Sequence, residues 1–183
     1  MKFLPKLTIS CLAVAVILAG VIFLRVSAQD QSITSQQIDL IRGNCVSIKN
    51  TLNQLHASDA LLRVNRGQIY ESIETKLMNG FNGRLSNNSF NNSNIVSITN
   101  NYESTLNNFR SHYIVYEEQL ATTINIDCSK QPAAFYEAIS SARTKRGQVH
   151  ADVVKLNQYI DQYQAAVDQF EKDYQTAANG MKQ

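Results

Sequence analysis

Apolar residues recur three and four positions apart along three long stretches of this 183-residue chain, and that spacing limits the fold more than any other feature. A 3.6-residue helical period turned to a three-and-four rhythm puts one stripe of each helix on a single face, and the stripe must be buried. The first stretch runs Ile38, Ile41, Cys45, Ile48, Leu52, Leu55 and, in register, Asp59, Leu62, Arg66, Ile69 and Ile73. The second carries Ile95, Ile98, Tyr102, Leu106, Phe109, Tyr113, Tyr116, Leu120 and Ile124. The third carries Ile139, Ala142, Arg146, Val149, Val153, Leu156, Ile160, Tyr163, Val167, Phe170, Tyr174 and Ala177.

Punctuation agrees with the periodicity. Thr34 and Gln37 have capping-box spacing ahead of the first stretch, and Gly80 and Gly83 are stops for it. Residues 86–94 are Asn and Ser around Phe90, a composition that favours turns over helix interiors. Asp127 or Ser129 can cap the third helix, with Pro132 in its first turn, where a missing N–H costs nothing. The expected helices span about 35–80, 95–125 and 131–178. Turns this short reverse the chain, so neighbours run antiparallel. The expected fold is all-α: a three-helix antiparallel coiled-coil bundle over residues 35–178, behind an N-terminal segment (1–28), a linker (29–34) and before a short tail (179–183).

That N-terminal segment reads as an export signal. Lys2 and Lys6 precede an uncharged apolar run from Leu7 to Leu24, and Val26-Ser27-Ala28 offers a small-residue cleavage site. Eighteen apolar residues also lie at the lower edge of a membrane span, so cleaved signal peptide and retained signal anchor both stand. In either case the positive-inside rule puts the rest of the chain outside the cytoplasm, secreted or anchored to the plasma membrane. Membrane contact is confined to residues 7–24 if the segment is kept. Three of the 17 basic residues and none of the 15 acidic ones fall in this segment, leaving 14 against 15. A remainder so close to neutral gives no reason to expect a nucleic-acid partner.

Cysteine usage fits an exported chain. Cys11 lies inside the apolar run, which leaves Cys45 and Cys128. Walking ~30 residues down the second helix descends about 45 Å, and the same descent on the first helix arrives about one turn from Cys45. The two cysteines are therefore expected as neighbours and as a disulfide. A metal site is not expected, since His56, His112 and His150 form no ligand spacing with them.

The same levelling sets charged seam residues side by side. Asp59, Arg66, Arg143 and Arg146, with His112 at similar height, form an expected buried polar layer that either fixes register or binds a ligand or partner. A second feature is an apolar stripe, Val167, Phe170, Tyr174 and Ala177, that runs about 20 Å past the level of the first turn. Its cover is an extension of the first helix through Leu85, the Phe90 loop, or another protein chain. No nucleophile elbow, phosphate-binding loop, dinucleotide-binding glycine run or haem-attachment motif is present, so neither an enzyme nor a cofactor is expected. Glu71/Glu74 and Glu117/Glu118 read as solvated helix faces, and the seam tyrosines as core filling in preference to a carbohydrate or aromatic-ligand groove.

These landmarks resemble a group of uncharacterised exported two-cysteine helical-bundle proteins of small-genome candidate-phylum bacteria. The shared residues are Cys45, Arg66, Tyr70, Ile73, Leu77, Tyr116, Ile126-Asp127-Cys128, Phe135, Ala142-Arg143, Arg146 and Tyr159-Ile160, over roughly residues 40–165. The resemblance implies a structural role for the cysteines and arginines, and no catalytic residue. The function expected is a structural or protein-interaction role in the cell envelope, with an unknown envelope protein or a second copy as partner. The alternative is an extracytoplasmic chaperone or small-ligand-binding bundle. A dry continuous seam favours the first, a cavity of ligand size the second.

Overall fold

A computed structural model describes residues 33–180. The N-terminal segment read as an export signal, with Cys11, most of the linker and the end of the tail lie outside the described residues. Those described are all-helical: α1 (Ser35–Gly43), α2 (Cys45–Ser72), a π-helical segment (Ile73–Met78), α3 (Asn79–Asn87), α4 (Ser93–Asn125) and α5 (Pro132–Gly180). No helix among them is long and apolar enough to cross a membrane.

The capping box forms: the Thr34 side chain accepts from the Gln37 N–H, and the Thr34 N–H donates to Gln37 Oε1 at 2.8 Å. Asn44 then separates α1 from α2, its amide side chain donating to the Leu40 carbonyl at 2.9 Å. Gly80 and Gly83 do not stop the first helical run, which corrects the expected end near residue 80. Both sit inside α3, and the chain leaves the helix only after Asn87. The terminator is Ser89, whose φ of 59° lets Phe90 N–H reach the Leu85 carbonyl and Ser89 N–H reach that of Ser86, both at 3.0 Å. That bond pair is a Schellman cap built without glycine. Pro132 opens α5 as expected, buried in its first turn.

Contacts give the directions. From the α1/α2 boundary to α3, residue 45 meets residue 128 in the turn after α4, and residues 59, 70 and 82 meet residues 116, 102 and 99, a descending order on α4. On α5 the order rises, Asp59 meeting Arg146 and Met78 meeting Tyr163. The most extensive packing is between α4 and α5, with α2 lying more lightly on α4.

Three apolar clusters are strung along the molecule. Cys45, Cys128 and Phe135 form one with Ile41, Ile48 and Ile139 around them. Tyr113, Tyr116 and Leu120 form the next, and Tyr70, Met78, Tyr102, Leu106, Phe109 and Leu156 the third. The seam of α2 follows the heptad through Asp59 and then departs from it. Ile69 is 57% exposed, and Tyr70 takes its place at 4%. The 11-residue step from Asp59 to Tyr70 departs from the left-handed supercoil that a heptad imposes. The π turn adds a further shift. The Asn79 N–H bonds to the Glu74 carbonyl, five residues back, so each turn holds an extra residue. Met78 is thereby buried, and Leu77 is turned outward.

Candidate functional site

The predicted cysteine pair is a disulfide, with Cα atoms 5.6 Å apart, and Cys128 is fully enclosed. It ties the start of α2 to the turn before α5. Asp127 shapes that turn by accepting from the Ser129 and Lys130 N–H groups, and these bonds hold its carboxyl below the usual carboxylate range.

About four to six turns along α2, α2 and α5 stand apart over α4 and leave a groove of about 610 Å³. Asp59, Leu62, Arg63 and Arg66 line it from α2. Arg143, Arg146, Gly147, Val149, His150 and Val153 line it from α5, with Phe109, Tyr113 and Tyr116 from α4 between them. The helical period explains each wall: 59, 63 and 66 share one face of α2, and 143, 146 and 150 one face of α5.

One end of the groove is locked by a three-residue network. Asp59, 8% exposed, accepts from Tyr116 Oη at 2.7 Å and from Arg146 Nε at 3.0 Å through the same oxygen. Its other oxygen accepts from Arg146 Nη2 at 3.3 Å, making the guanidinium contact two-pronged. The hydrogen bond to Asp59 raises the Arg146 pKa, and burial, then the bond to Asp59, raises that of Tyr116.

The expected polar layer is thus corrected in two respects. Asp59 is buried, but Arg66 and Arg143 are exposed on the groove walls and the Arg146 side chain is 53% exposed. Long cationic side chains reach for water unless fully paired, and only Arg146 finds a buried carboxylate. His112 does not join them. It bonds Asp152 across the α4–α5 seam at 2.7 Å and lies outside the groove lining.

Three residues were missed as site members. Arg63 stands over the Tyr113 ring at 4.9 Å from its centroid, with Glu117 3.9 Å away. Tyr113 is 4% exposed and its hydroxyl is buried without a hydrogen-bond partner, and burial pushes its pKa up to about 12. His150 completes the α5 wall. The spacing of Arg63 to Arg66 and of Arg146 to His150 was a visible signal. The role of Tyr116 as donor was not, because its periodicity reads only as core.

The stripe on α5 is partly covered. Phe170 meets Phe81 of α3 and Phe90 of the following loop edge-on, with centroids 6.1 and 5.4 Å apart. Phe90 also meets Tyr174 at 5.7 Å, yet Tyr174 stays half-exposed and Ala177 exposed. Among the described residues no cluster of three or more His, Cys, Asp or Glu could hold a metal.

The geometry defines an all-helical protein with a Cys45–Cys128 disulfide and an arginine-walled groove. No protein-family model, curated protein or solved structure matches the chain.

Proposed function

We propose that this chain is an exported, disulfide-clamped three-helix bundle of the cell envelope that binds a small ligand between α2 and α5. The observation that carries the reading is the groove. Its volume of about 610 Å³ is that of a ligand pocket, and apolar side chains line it together with a few convergent polar groups. A dry seam filled by apolar residues would favour a purely structural role instead. Export is supported by the apolar segment with its cleavage site and by the disulfide, a bond that persists in oxidising compartments. Membership of the two-cysteine envelope group named above rests on the shared cysteines and arginines.

A groove-filling variant tests this. An added Cβ at Gly147 meets no heavy atom within 4 Å, so Gly147→Trp can project into the groove without backbone movement. Native mass spectrometry of protein recovered from the extracytoplasmic fraction should show a small-molecule adduct on the wild type and none on Gly147→Trp. Bare mass from both proteins, or equal adducts on both, would count against the groove. A second reading, contact with an envelope protein or a second copy, is favoured by the half-exposed Tyr174 at the open end of the α5 stripe.

A further inference from the structure

The groove carries more positive charge than its surroundings use. Four arginines line it against one carboxylate, and Asp59 is already spent on Arg146. Arg66 and Arg143, on opposite walls, make no ion pair with any carboxylate among the described residues. Like charges on opposite walls repel, and the rest of the chain after residue 28 holds 10 basic against 14 acidic side chains, so this excess is local. Between the walls lies the apolar surface of Phe109 and Tyr113.

Building on the ligand-binding reading, we infer that the groove takes a phosphate monoester carrying an apolar body. The phosphate bridges Arg66 and Arg143, and the body lies on Phe109 and Tyr113. A phosphate monoester is close to a dianion at neutral pH, which answers two unpaired arginines better than a single carboxylate does. Guanidinium forks match phosphate oxygens in pairs. The apolar body separates this ligand from free phosphate, which gains nothing from the aromatic surface.

Calorimetric titration of the disulfide-intact protein with 1-naphthyl phosphate, monododecyl phosphate below its micelle concentration, inorganic phosphate and 1-naphthol tests the assignment. One or both esters should bind at a single site, more weakly as salt is raised. Arg66→Gln and Arg143→Gln, both at exposed positions and each checked for a retained fold by circular dichroism, should each weaken ester binding by about tenfold or more. Tighter naphthyl binding assigns an aryl body, tighter dodecyl binding an alkyl chain such as a lipid monoester. Inorganic phosphate binding as tightly as the esters, or ester binding that ignores both substitutions, overturns the inference. If 1-naphthol binds as well as its phosphate and Gly147→Trp blocks it, the groove takes a ligand but not this one. If neither ester nor 1-naphthol binds, the inference is overturned, and the adduct comparison of wild type with Gly147→Trp decides the ligand-binding reading.

Discussion

Arg146 reaches from α5 to a carboxylate standing where a bundle ordinarily places an apolar side chain. Removing that cation strands Asp59 with a single neutral donor, Tyr116. Because the guanidinium is half in water, the loss is smaller than for a fully enclosed pair. Arg146→Leu should destabilise by about 1–3 kcal/mol. In Arg146→Leu/Asp59→Leu no charge is stranded, and the double variant should recover most of the loss. Urea unfolding of the single and double variants reads this directly; a neutral Arg146→Leu would show that the pair contributes nothing. Tyr116→Phe removes a hydrogen bond to a charged acceptor and should cost about 1.5–3 kcal/mol. At this scale the sequence was half legible. Asp59 and Arg146 announced themselves as charges on an apolar stripe, whereas the burial of Tyr113 and Tyr116 hydroxyls depends on what α2 and α5 place over them.

The elements bend two rules that sequence reading relies on. Glycines near the end of a periodic run mark a stop, yet Gly80 and Gly83 lie within α3, and the stop falls on a serine in the left-handed region. An added Cβ at either glycine meets nothing within 4 Å. Gly80→Ala and Gly83→Ala should therefore each raise stability by about 0.5–1 kcal/mol, the helix-interior preference for alanine. Ser89→Gly should stabilise by about 1 kcal/mol, since glycine avoids the left-handed penalty. Thermal unfolding followed by circular dichroism should show all three midpoints raised; a lowered midpoint for Gly80→Ala would mean that α3 does not persist in solution. The reason the glycines misled is tertiary. Tyr163 Oη reaches both the Met78 carbonyl and Asn82 Oδ1, and Asn82 Nδ2 bonds Thr99 at 2.9 Å, so α3 is held helical by its neighbours.

For the molecule as a whole, the disulfide and the buried tyrosines set the response to redox and pH. The Cys45–Cys128 link closes a sequence separation of 83 residues. In the chain-entropy model its reduction removes about 4–5 kcal/mol. The intact protein should weigh two hydrogens less than the reduced one, and reduction should lower the urea midpoint. Burial raises the phenol pKa values of Tyr113 and Tyr163 to about 12 from an ordinary 10.0, so the folded state favours the neutral phenol. The resulting stability is complete below pH 10 and is lost as pH climbs toward 12. Phenolate absorbance should lag behind free tyrosine until unfolding releases these rings together; early titration of all eight tyrosines would contradict their burial. At the open end, Tyr174→Glu should turn any oligomer monomeric in light scattering if the α5 stripe pairs with a second copy, and should leave a native monomer unchanged.

What the sequence determined by itself was whatever depends on local period and reach. Three-and-four spacing dictates helices. The length of a helix over a given number of residues dictates which turn lies level with Cys45. The same arithmetic set Asp59 beside Arg146. The tertiary structure alone decided where the α2 seam leaves its heptad, because which of Ile69 and Tyr70 is buried depends on the packing against α4. It decided, too, that Arg66 and Arg143 line a groove instead of a sealed layer. A charge on an apolar stripe marks a conflict between burial and solvation, and only the distance between α2 and α5 resolves it, by leaving room for water or for a ligand between the walls.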